Sequence, residues 1–95
     1  MDNELLHEYI GDVAEGAPTA DGFDEAVVGV VLAGPNREPV VLYDAGKCVR
    51  ILMDRDGMSR MDAWEFFEFN VLGAYMGPRA PVFVDWLPWK EQFFD

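Results

Sequence analysis

The first 36 residues contain no lysine and no arginine. They hold eight acids instead: Asp2, Glu4, Glu8, Asp12, Glu15, Asp21, Asp24 and Glu25. The whole chain has 18 acids and 7 bases, so −8 of its formal net charge of −11 lies in this first segment. Such a field repels phosphate backbones and anionic membranes and attracts basic protein surfaces. It argues against direct nucleic-acid or membrane binding. A protein partner with a basic surface that itself binds nucleic acid is a natural candidate.

Cysteine is nearly missing as well. Cys48 stands alone, which excludes an internal disulfide and suits a reducing cytoplasm. The opening residues MDNELLHEY have neither a basic stretch nor an apolar run of the kind a secretory signal needs. The longest apolar run, Ala26 to Ala33, falls far short of the roughly 20 residues of a membrane span. A soluble, intracellular protein is the expectation.

Groups that attack or transfer protons are scarce too: one His (His7), one Ser (Ser59), one Thr (Thr19) and two Lys (Lys47, Lys90). No nucleophile–base–orienter set can be assembled from them. Ser59 is better read as a helix cap, Cys48 as a small buried hydrophobe and His7 as a structural or solvent-facing residue. There is no His/Cys cluster for zinc and no glycine-rich phosphate loop. Asp54, Asp56 and Glu65 have the spacing of calcium-loop ligands, but Ser59 stands where that loop requires glycine. Neither catalysis nor a cofactor or metal is expected.

What remains is ample for a core. Hydrophobic residues make up 51% of the chain, with three Trp, three Tyr and seven Phe. A chain of 95 residues is read as a single domain, 1–95. Residues 4–14 place Leu5, Leu6, Tyr9, Ile10 and Val13 on one helical stripe, opposite an acidic ridge of Glu4, Glu8, Asp12 and Glu15. Ala26 to Ala33 reads as a strand covered on both faces, joined by a loop of about five residues to a second strand, Val40 to Tyr43. Asp44 caps a helix through Asp54 or Arg55, with Cys48, Ile51, Leu52 and Val49 inward, and Gly57 closes it. Ser59 caps the next helix, Arg60 to about Tyr75, whose apolar stripe is Ala63, Phe66, Phe67, Val71 and Ala74. Asn70 falls on that stripe and is expected to be buried and bonded to the turn that follows. Pro81 to Trp86 completes a third, edge strand. The order α-β-β-α-α-β predicts an α+β fold, a small antiparallel three-stranded sheet with helices packed on one face.

The core motifs have a likeness. Tyr43-Asp44 opening a helix, ILMDRDGM at Ile51 to Met58, AWEFFEFNVLGAY at Ala63 to Tyr75 and Pro81-Val82-Phe83 resemble a family of small uncharacterised acidic proteins encoded by bacteriophages and prophages. FDEAVVGV at Phe23 to Val30 resembles that family's first strand. The resemblance implies a phage setting. By analogy with other small acidic phage proteins, it implies action against host machinery, with CRISPR complexes and related defence systems first among the targets.

Two surfaces carry the expected partner binding. The acidic one comprises Glu4, Glu8, Asp12 and Glu15, with Asp21, Asp24 and Glu25. Helical spacing sets such carboxylates roughly 6 Å apart, close to the phosphate repeat of a nucleic-acid strand, so the ridge reads either as a nucleic-acid mimic or as a solvated face. The aromatic one comprises Trp64, Tyr75, Trp86, Trp89, Phe93 and Phe94, ring types that dominate interface energetics when exposed; the tail rings Trp86, Trp89, Phe93 and Phe94 read either as packed back over the core or as such a patch. Two other readings stand beside this one. The first is self-association as a homodimer through the helix carrying Trp64 and Tyr75; the second is a small-molecule pocket near Asn70 and Tyr75.

Overall fold

The computed structural model describes residues 3–32, 38–74 and 77–87. Helix α1 (Asn3–Val13) leads through a short 3-10 turn (Asp24–Ala26) into strand β1 (Val27–Val31), and β2 (Val40–Asp44) returns beside it. Helices α2 (Ala45–Asp56) and α3 (Arg60–Phe67) follow, then a π-helical turn (Glu68–Leu72) and strand β3 (Val82–Val84). Among the described residues no helix is long and apolar enough to cross a membrane.

The α+β class and element order are as the sequence predicts, but the sheet is mixed. β2 is central, antiparallel to β1 and parallel to β3, with Tyr43 opposite Phe83. The expected all-antiparallel sheet is therefore corrected. The connection from β2 to β3 carries two helices and is long enough to return the chain to the same end of the sheet, which a parallel pair requires. β1 is an edge strand with a bulge at Val28, whose side chain is exposed, so it is not covered on both faces. β1 and β2 are also further apart in sequence than a five-residue loop, ending at Val31 and resuming at Val40.

The local punctuation marks behave as their chemistry dictates. Asp44 ends β2 and caps α2, its Oδ1 accepting from the Lys47 N–H at 3.0 Å. Gly57 closes α2 in the left-handed region at φ 69°, where a Cβ would be strained. Ser59 Oγ accepts from the Asp62 N–H at 3.2 Å and starts α3.

The core lies on the Val41/Tyr43 face of β2. Ile10 and Ala14 reach it from the α1 end, Cys48, Val49 and Leu52 from α2, and Ala63 and Phe67 from α3. Leu42, on the opposite pleat, is only half-buried. The Tyr43 ring stacks on Phe83 at 5.3 Å, and its hydroxyl accepts a 2.7 Å hydrogen bond from the Ala20 N–H, which ties the loop before the 3-10 turn to the sheet. Burial raises the Tyr43 phenol above its ordinary range, partly offset by that hydrogen bond.

The expected single helix from Arg60 to Tyr75 breaks its own register. After Phe67 the chain widens into a π-turn, and the Gly73 N–H bonds back five residues to the Glu68 carbonyl at 3.0 Å. The wider turn carries Asn70 out of the apolar stripe. Asn70 is exposed, and its Nδ2 donates to the Phe66 carbonyl at 3.2 Å rather than to the following turn.

Candidate protein-binding surface

α1 is mounted by one row of side chains. Leu6, Ile10 and Ala14 recur at i, i+4 and i+8; Ile10 and Ala14 are buried and Leu6 packs against the core. His7 Nε2 meets Asp24 Oδ2 at 2.9 Å, pinning the helix to the 3-10 turn. Arg79 holds the segment beyond the helix, donating from Nη1 to the Glu15 carbonyl and from Nη2 to the Pro39 carbonyl, each at 2.7 Å.

This mounting decides which expected residues are available. Glu4, Glu8, Asp12, Glu15, Asp21 and Glu25 are exposed. Glu8, Asp12, Glu15, Asp21 and Glu25 have no cationic side chain within 4.0 Å among the described residues. Asp24 departs from expectation: it is half-buried and engaged by His7, which makes it a structural residue. The predicted apolar stripe of α1 is also only partly right. Leu5 is 58% exposed and Tyr9 55%, and Val13 is exposed beside them. Three side chains assigned to the core thus belong to the surface.

The aromatic surface is likewise redrawn. Trp64 is half-buried, packed against the core with its ring edge-on to Phe67 at 5.8 Å, so it supports the fold. Trp86 is exposed rather than packed over the core. Tyr75, Trp89, Phe93 and Phe94 lie outside the described residues. Phe69, 82% exposed, and Leu72 join this surface without having been expected there, both thrown outward by the π-turn. With Met58, Asp62, Phe66 and Asn70, Phe69 lines a shallow hollow of about 430 Å³. On the other side of the π-turn Asn70 borders a second pocket of about 230 Å³, with Thr19, Asp21, Phe23, Val71 and Pro81 among its walls. The sequence does carry a signal for Phe69 and Leu72: a helix apolar nearly all round cannot bury every face in so small a domain.

Among the described residues no group of three or more His, Cys, Asp or Glu side chains gathers closely enough to hold a metal ion. Cys48 is fully buried, and burial, with the Asp44 charge second, pushes its thiol up from 9.0 to about 12. Below pH 9 the thiol is protonated in both folded and unfolded chains, and stability is unaffected. Between pH 9 and about 12 only the unfolded chain releases that proton. Stability should therefore fall as pH rises through this window, by up to about 1.4 kcal/mol per pH unit. Urea unfolding of Cys48→Ala at stepped pH should show a flatter decline; an unchanged slope would count against the buried thiol as its source.

Comparison with protein-family models, with curated proteins and with solved structures returns no match to this chain.

Proposed function

We propose that this protein works by binding: it is a phage-encoded anti-defence factor that docks on the basic surface of a host nucleic-acid-handling complex, in the cytoplasm of the host, and inhibits or redirects it. The observation that carries this reading is the row of exposed carboxylates Glu8, Asp12 and Glu15, none of them with a cationic group within 4.0 Å of its oxygens among the described residues. A merely solvated face mixes signs, because i, i+4 pairs of opposite charge stabilise a helix and like-charged pairs destabilise it. Leaving the acids unpaired costs stability that a basic partner restores. Phage origin rests on the resemblance of the Tyr43 to Phe83 motifs, and CRISPR complexes are the first target class to examine.

The test is electrostatic. A partner recovered from host lysate should lose at least about tenfold in affinity between roughly 50 and 300 mM salt, since exposed charges are screened over the Debye length. Duplex DNA should compete with the protein for that partner. Affinity indifferent to ionic strength, or a partner that holds DNA and this protein together, would remove the mimicry. A second reading, self-association through the π-turn, draws support from the exposure of Phe69 and Leu72. Sedimentation showing a monomer at all concentrations would exclude it.

A further inference from the structure

The solvent side of α1 carries two kinds of row, side by side. At about 100° per residue, Glu4, Glu8 and Asp12 occupy one arc of the helix, Leu5, Tyr9 and Val13 the next, and Leu6, Ile10 and Ala14 the one beyond. The helical path reaches Ala14, whose N–H donates to the Ile10 carbonyl at 2.7 Å. The third arc enters the core, so the first two face outward together. The middle row is apolar yet exposed, Leu5 and Tyr9 each by more than half. It runs between the acid row and the body of the protein.

We infer that this two-row face of α1 is a docking surface for an amphipathic helix of a partner protein, one that carries Lys and Arg along a single flank of its apolar stripe. The inference rests on the reading of this protein as a binder of basic protein surfaces and adds the partner's local structure. An exposed apolar row bordered by charge marks an interaction surface, and side chains at i, i+4 and i+8 are matched by the equivalent row of a second helix. Leu5 to Val13 spans about 12 Å, so a partner helix of about three turns covers the row. Within α1 the carboxylates Glu4, Glu8 and Asp12 lie on one side of that row, which sets where the partner's cations meet them. Burial of Leu5 and Tyr9 supplies affinity, while the charge pairs supply encounter rate and register.

Charge also selects among occupants. A second copy of this chain packed antiparallel would bring its own Glu4, Glu8 and Asp12 row against the first, where like charges repel, and packed parallel it would set against that row a helix without Lys or Arg. Anionic membranes and nucleic acid meet the same repulsion.

The full-length chain can be titrated by fluorescence anisotropy with three designed peptides of equal length. One has an apolar stripe flanked by Lys and Arg; one has the same composition scrambled so that no stripe forms; one has the stripe flanked by Glu. Only the first should bind at low salt. The double variant Leu5→Ala/Tyr9→Ala should weaken it by at least about tenfold. Glu8→Gln/Asp12→Asn should weaken it at low salt and approach the parent at high salt. Both variants change exposed side chains, so neither should lower the thermal midpoint, and Glu8→Gln/Asp12→Asn should raise it slightly by removing a like-charged pair, which separates lost docking from lost folding. Equal binding of the scrambled peptide, or full affinity in Leu5→Ala/Tyr9→Ala, would overturn the inference. The same double variant still binding a basic host partner at full strength would overturn this docking mode and leave the proposed function intact. Salt-indifferent binding of the host partner would do the reverse.

Discussion

Phe67→Ala is expected to cost about 3–5 kcal/mol of unfolding free energy, the range for deleting a large ring from a sealed core. Phe67 ends α3, is 1% exposed and stands edge-on to both Trp64, at 5.8 Å, and Phe83, at 5.2 Å. Phe83 in turn stacks on Tyr43, so four rings form one chain from α3 to the centre of the sheet. Removing the middle of it leaves a cavity and forfeits two favourable ring geometries beyond the area lost. A domain of this size has a total stability of about 5–15 kcal/mol, so this one substitution removes a large share of it. Urea titration should show a lower midpoint with little change in slope. Phe69→Ala is the control: its ring lies almost wholly in solvent, and its loss should change stability by less than about 0.5 kcal/mol. A Phe67→Ala loss below about 1 kcal/mol would contradict the ring chain as the link between helices and sheet.

Arg79→Ala should lose about 2–3 kcal/mol, because hydrogen bonds from a charged donor are stronger than neutral ones. Its guanidinium holds the Glu15 and Pro39 carbonyls together, joining segments that lie 64 and 40 residues away in sequence. The Nε is buried without a hydrogen-bond partner. Its approach to the Glu38 carboxylate, at 3.5 Å, is an ion contact rather than a hydrogen bond, and that carboxylate is well exposed, so the contact adds little. Arg79→Lys should recover only part of the loss, since one ammonium does not reproduce a planar fork that reaches two carbonyls. Hydrogen exchange at the Ala14 and Ala17 amides should accelerate in Arg79→Ala, as both lie where the clamp holds the end of α1. Unchanged exchange there would show that Leu6, Ile10 and Ala14 mount the helix without help.

Half of the candidate surface is legible in the sequence. The acid row of α1 can be read because charge and helical period are local, and Glu8 and Asp12 emerge where the period puts them. The apolar row beside it cannot be placed the same way. Leu5, Leu6, Tyr9, Ile10 and Val13 all suit a core-facing stripe, and periodicity does not say how wide a stripe the rest of the chain will cover. That width is decided by His7 meeting Asp24 and by Ala14 filling the inner row. Asn70 departs from expectation for a similar reason: an α-helical period does not carry past Phe67, where the backbone changes to a wider turn.

What the amino-acid order determined alone is the set of short-range facts. Asp44, Gly57 and Ser59 act on backbone groups within a few residues, so both ends of α2 and the start of α3 follow from them directly. The lopsided charge needs no fold at all. Tertiary structure decided the direction of β3, the exposed row of α1 and the outward throw of Phe69. Each depends on which distant segment covers a surface, and an apolar side chain is equally content against any partner that excludes water.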